Sequence, residues 1–321
     1  MDIFLYILLH NIAPIVLIIA IGFVLGRIFD LNVQTLSKLN FYVYVPIFTF
    51  MQIYTTELSL QYVSVFVFAV LLLAANLFVS WLIAKTRRYE ESMKNAFMNA
   101  VMFYNSGNIG VPRITLVFSS APFLVGGEAP FLAAAMAAQI VVLVVQNITT
   151  NTIGFYNAGK KSMTVRDSVA SILKMPTVYA IPLAFLFKYA VPYDLHEFPL
   201  WPGLEYLRDG LISIALLTLG AQLAKTKLAW GGVEVGIVNA VRLLGGPLLA
   251  IPLLIALRLD GVLAQALMIS SAVTTALNTA LIAGERDNQQ EFASQAVLGS
   301  TLLSPITLTL VVYVSRIIFP V

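Results

Sequence analysis

Asn105-Ser106-Gly107-Asn108-Ile109-Gly110-Val111-Pro112 interrupts a long apolar run with an octapeptide that a uniform membrane helix would not carry. Its two glycines loosen a helix, its proline lacks an amide hydrogen and fixes φ, and its two asparagines offer both donors and acceptors. Inside a bilayer, unwound backbone survives only where it is packed in protein or faces a water-filled cavity. The stretch therefore marks a site, because broken helices of this kind line ligand sites within helical bundles.

The surrounding composition sets the class. Of 321 residues, 59% are hydrophobic and only 11% charged, which is the balance of an all-α polytopic membrane protein rather than of a soluble domain. Cysteine is absent, so disulfides, thiol nucleophiles and cysteine-based zinc sites are excluded. His10 and His196 stand far apart and read as interfacial or structural residues, leaving no metal site. The net charge of +3 does not point to nucleic acid, since cytoplasmic loops collect Lys and Arg for topological reasons. The amino terminus lacks the basic region and cleavage site of a signal peptide and is read as the first membrane helix.

At about twenty apolar residues per span, the sequence predicts ten transmembrane helices near 3–27, 33–56, 60–84, 95–120, 129–154, 169–190, 203–224, 231–257, 261–284 and 290–318. Arg27, Lys38, Lys85, Arg87, Arg88, Lys94, Lys160, Lys161, Arg166, Lys174, Lys225, Lys227 and Arg286 fall on one side of the membrane. Arg113, Lys188, Arg208, Arg258 and Arg316 fall on the other. This bias places both termini on the non-cytoplasmic side of a multi-pass protein of the cell membrane. At an offset of 162 residues Pro14 falls on Pro176, and Gly110-Val111-Pro112 falls on Ala272-Val273-Thr274. Five helices per half is an odd number, so 1–154 and 169–321 are read as two inverted repeats joined by a short cytoplasmic linker, 155–168. The fourth and ninth helices become counterparts. Ser270 to Thr279 is rich in hydroxyls and carries Asn278, but it has no proline, which predicts a softer break there.

Asn105 and Asn108, three residues apart, would share a helix face. Their amides, with the backbone around Ser106, Gly107, Gly110 and Pro112, can bind a polar or anionic group; the alternative is helix packing. Val273, Thr274, Thr275 and Asn278 offer a second polar arm. Arg242 lies well inside the eighth span, where it can attract an anion or pair with carbonyls near Gly245, Gly246 and Pro247. Gln139, Gln146 and Asn147 recur on one face of the fifth span, which should look into the bundle. The carboxylates all fall in loops or near span ends, which argues against a proton antiporter built on buried acids. No phosphate loop, triad or HExxH pattern is present, so the chain is not read as an enzyme.

Asn105 to Pro112, Val241 to Pro247, Leu217 to Leu223 and Gly299 to Ser304 together resemble the auxin efflux carrier family of membrane transporters, which takes in plant PIN proteins and bacterial permeases. The resemblance implies two inverted five-helix repeats akin to bile-acid symporters and sodium/proton antiporters, with broken helices 4 and 9 crossing. It also implies a scaffold from helices 1, 2, 6 and 7, a transport domain from helices 3–5 and 8–10, and a homodimer. Family members commonly have proline where this chain has Thr274, which bears on the symmetry of the crossing. The resulting expectation is an elevator-like, alternating-access carrier of a small organic anion, a carboxylate, with no cofactor. The alternatives are a sodium-coupled symporter holding the ion at Thr274, Thr275 and Asn278, and a membrane sensor that binds without transport.

Overall fold

The computed structural model describes residues 5, 9, 13–55, 61–121, 123–159, 173–174, 176–225 and 232–321. His10, Lys160, Lys161, Arg166, Lys227 and most of the 155–168 linker lie outside the described residues. Among the described residues the secondary structure is helical, with β pairing confined to two isolated bridges. Five helical rods among the described residues are long and apolar enough to cross a membrane: Gln61–Thr86, Leu132–Ala158, Trp201–Lys225, Val233–Ala256 and Gln290–Ile318. Ala13–Ile28 and Gly261–Ser271 are shorter apolar helices. The chain is a membrane protein.

In chain order, α1 is Ala13–Ile28, and α2 (Val33–Leu39) runs through a π-helical turn, Asn40–Tyr44, into α3 (Val45–Thr55). The uninterrupted helix α4 is Gln61–Thr86. Next come α5 (Glu91–Met102), a break, the π turn Ser106–Gly110 and α6 (Val111–Phe118). The helix α7 (Leu132–Thr149) passes through the π turn Thr150–Gly154 into α8 (Phe155–Ala158). Then follow α9 (Pro176–Tyr189) and α10 (Trp201–Lys225). Another rod joins α11 (Val233–Ala240), the π turn Val241–Gly245 and α12 (Gly246–Ala256). The chain closes with α13 (Gly261–Ser271), a second break, α14 (Leu277–Glu285) and α15 (Gln290–Ile318).

Small residues decide the tightest packing. Gly22 and Gly26 of α1 lie against Leu217 and Ala221 of α10, while a Cβ added at Gly220 would stand 2.6 Å from the Phe23 amide nitrogen. In lipid, where apolar side chains gain little by leaving the solvent, such backbone contact is a main source of helix association. A first group of helices forms around this seam, with α9 and α10 packed on α3. A second group packs α4 on α5 and α7, α13 on α7 and α15, α11 and α14 on α15, and α12 on α4. The π turn Ser106–Gly110 touches both α10 of the first group and α7 of the second.

Three expectations need correction. The fourth-span break lies at 103–105 rather than at 105–112: Ser106 to Gly110 already form a π turn that runs directly into α6, whose first turn holds Val111 and Pro112. The ninth-span break, expected to be softer, extends over 272–276. Arg113, counted as a flanking charge, sits inside α6 at 3% exposure.

Candidate functional site

The two breaks meet. Tyr104 and Thr275 form an antiparallel bridge, with the Asn105 N–H donating to Thr274 O at 2.8 Å and the Ala276 N–H to Phe103 O at 2.9 Å. Side chains complete the pairing. The Tyr104 N–H donates to Gln146 Oε1 at 3.1 Å, the Thr275 N–H to Ser300 Oγ at 3.1 Å, and Thr275 Oγ1 to Ala100 O at 2.9 Å. A buried amide without a partner costs about 1–3 kcal/mol, so these bonds make an unwound stretch affordable without proline. The extent of the 272–276 break follows from them, and a sequence scanned for proline does not reveal it.

Arg242 lies where the ends of two half-helices converge. The π turn Val241–Gly245 carries it inward to 0% exposure. Its Nη1 donates to Val101 O at 2.9 Å, in the last turn of α5, and its Nη2 donates to Ser271 O, the last residue of α13. Its guanidinium also lies 4.5 Å from the Tyr104 ring centroid. Helix C-termini present unpaired carbonyls and the negative end of the macrodipole, which a cation stabilises. A Cβ at Gly246 would stand 2.6 Å from Arg242 Nη2, so the glycine leaves room for the guanidinium. Of the two roles weighed for Arg242, its contacts are those of carbonyl pairing, although the carbonyls belong to α5 and α13 rather than to its own Gly-Gly-Pro stretch.

The start of the next half-helix is held from three sides. Asn105 Oδ1 accepts the Asn108 N–H at 3.1 Å, which caps the π turn. Gln139 Nε2 donates to Ser106 O at 2.7 Å, and the Gly110 N–H donates to Asn105 O at 2.9 Å. From the first helix group, Asn40 Nδ2 donates to Asn108 Oδ1 at 2.6 Å. That single bond ties the two groups together at the break.

Beside it is a cavity with about 20 Å³ of room for water centres, bounded by the paired breaks, α7 and the α2–α3 rod. One water fills roughly that volume. Asn105, Ser106, Gly107, Asn108 and Asn278 line it, together with Gln146, Asn147, Thr150, Phe41 and Val45. Gly110, Pro112, Val273, Thr274 and Thr275 are buried around the breaks but do not line it. The lining contains no charged residue. Asn105 Nδ2 and Gln146 Nε2 are shielded from solvent and donate to no protein acceptor.

The face predicted from Gln139, Gln146 and Asn147 does look inward: two of these side chains bond to the fourth-span break and the third lines the cavity. Sequence reading missed Asn40 and Thr150. Both sit in π turns, as do Asn108 and Arg242, and single π turns recur at functional sites because the extra residue redirects side chains. The available signal was an amide or hydroxyl in an otherwise apolar rod.

Residues 165–312 match the family model described as Membrane transport protein. Over that stretch the chain is similar to membrane transport proteins. Its resemblance to the auxin efflux carriers is thereby borne out. A protein of Methanothermobacter thermautotrophicus described as an uncharacterized transporter is 22% identical over 309 residues, covering 94% of this chain and 96% of its own length. Since that alignment takes in both breaks, the similarity extends beyond the half matched by the family model.

Proposed function

We propose that this protein carries a small organic anion, a carboxylate, across the cell membrane by alternating access. The observation that carries the proposal is the cavity at the paired breaks, where the Asn105 and Gln146 amide donors have no protein acceptor. A carboxylate is an acceptor-only group that such donors satisfy. The first residues of α14, Leu277 and Asn278, and Ser106 to Asn108 of the π turn that leads into α6 lie at the same cavity, and helix N-termini favour negative charge there without a countercharge in the lining.

In this reading the ten rods form two inverted repeats whose fourth and ninth members cross at the breaks. The group of α1–α3, α9 and α10 is the scaffold of a homodimer, and α4–α8 with α11–α15 is the moving transport domain. Supporting this division, the cavity lies where the groups meet, and its lining draws on both. An uncoupled carrier is favoured over a sodium symporter. Of the three side chains offered for the ion only Asn278 lines the cavity, and the Thr275 hydroxyl is committed to Ala100. A sensor would not need a bond such as Asn40–Asn108 between two separable groups.

Uptake of labelled carboxylates into proteoliposomes tests the reading. Asn108→Ala removes the acceptor of the Asn40 bond and a wall of the cavity, and should reduce uptake to background while the protein remains folded. Uptake equal to wild type by a folded Asn108→Ala protein would refute the assigned site.

A further inference from the structure

Two charged side chains are buried among the described residues, and both are arginines; no carboxylate is buried with them. Arg242 is held by two carbonyls and a ring, with Nε alone left without a protein acceptor. Arg113 has far less. It is the third residue of α6, and its Nη2 donates to Ser304 Oγ of α15 at 2.7 Å. The Ser304 proton is directed elsewhere, to Thr301 O at 2.8 Å. Arg113 Nε and Nη1 are shielded from solvent and have no protein acceptor.

Arginine does not lose its proton in a protein, so the charge cannot be removed by titration. A guanidinium taken out of water is strongly unfavourable unless its donors and its charge are both answered. Charged groups that persist at membrane depth mark ion or substrate pathways. A neutral hydroxyl answers one donor of five and none of the charge. What completes this arrangement is a small anion with acceptor oxygens or a halide surface.

We propose that Arg113, its guanidinium positioned by the Ser304 hydroxyl, is an intramembrane binding site for a monovalent anion, either a halide or a carboxylate. The site is separate from the amide-lined cavity, whose lining does not include Arg113. The two lie on one continuous helical stretch, the π turn Ser106–Gly110 and α6: Asn108 at the cavity precedes Arg113 by five residues, roughly 7.5 Å along a helix axis at about 1.5 Å per residue. The carboxylate arm rests on the carrier reading, with the transported acid moving from amides to guanidinium. The halide arm does not depend on that reading.

The experiment is a thermal-unfolding titration of the full chain in detergent, with bulky gluconate as the background anion at constant ionic strength. Sodium chloride forms one arm. Sodium benzoate forms the other, with neutral benzamide as its control. A ligand that binds the native state raises the melting temperature saturably. Wild type should show this rise with chloride or benzoate and none with benzamide. A rise with chloride alone assigns a halide site, and a rise with benzoate assigns a carboxylate site.

Arg113→Gln should lose the rise and, in gluconate alone, melt no lower than wild type, because it removes a charge that the protein leaves unanswered. Ser304→Ala, which keeps the charge, should bind the same anion several-fold more weakly. The proposal is overturned if wild type shows no saturable rise in either arm, or if Arg113→Gln keeps the rise. It is equally overturned if Arg113→Gln fails to fold or melts well below wild type in gluconate, because the arginine is then structural. The titration involves no transport, so it and the Asn108→Ala uptake measurement can fail independently.

Discussion

Replacing Arg242 by Gln should unfasten the two half-helix ends from each other. The substitution removes donors to Val101 O and Ser271 O, which close α5 and α13, and lifts the charge from the Tyr104 ring. Hydrogen bonds from a charged group contribute about 1.5–3 kcal/mol each, and a desolvated cation–π contact contributes about 2. Against this stands the relief of no longer burying a guanidinium, several kcal/mol in the opposite direction. Two carbonyls left without donors in a dry interior restore the balance towards loss, and a net destabilisation of about 3–5 kcal/mol follows. For a chain of this size that is a fall in melting temperature of about 4–7 degrees. Thermal unfolding of the purified protein in detergent reads it directly. Arg242→Lys should fall between, since an ammonium keeps the charge but lacks the planar fork that spans two carbonyls. If Arg242→Gln melted within about 1 kcal/mol of wild type and transported normally, the clamp reasoning would be wrong.

Two further outcomes follow from the same structure. The chain has no cysteine, so a single Leu277→Cys probe at the cavity reports access on a clean background. Adding Asn40→Ala, which deletes the bond to Asn108, should speed its maleimide labelling about five-fold, the equivalent of about 1 kcal/mol for one hydrogen bond; an unchanged rate would rule out a latch. Gly220→Val should drive α1 from α10, because its Cβ alone would meet the Ile19–Phe23 backbone. Overpacking of this kind costs about 1–3 kcal/mol, and a melting temperature equal to wild type would show that the seam has slack.

Much of the architecture was legible because bilayer physics is strict. A span needs a long apolar run, and charge must collect between runs. Thus Gln61–Thr86 and Gln290–Ile318 stand where hydropathy put them. The fourth-span break was legible because glycine, asparagine and proline crowd together within eight residues. Its position was misread by a few residues, because Ser106 to Pro112 wind into a half-helix rather than unwinding one. In the same way, Arg113 looked like a flanking charge, since sequence spacing cannot tell a helix end near the surface from a half-helix that begins mid-bundle.

The sequence by itself determined a helical membrane protein with an interruption between Asn105 and Pro112, because composition and the cost of unpaired backbone in lipid allow little else. What the interruption does depends on contacts made across the folded bundle. Asn40, Gln146, Thr150, Arg242 and Ser300 reach the breaks from four other rods, and four π turns set the direction in which several of these side chains point. Which amide receives a donor, which remains open to a ligand and which arginine is left unanswered depend on those long-range meetings, and no local pattern of residues encodes them.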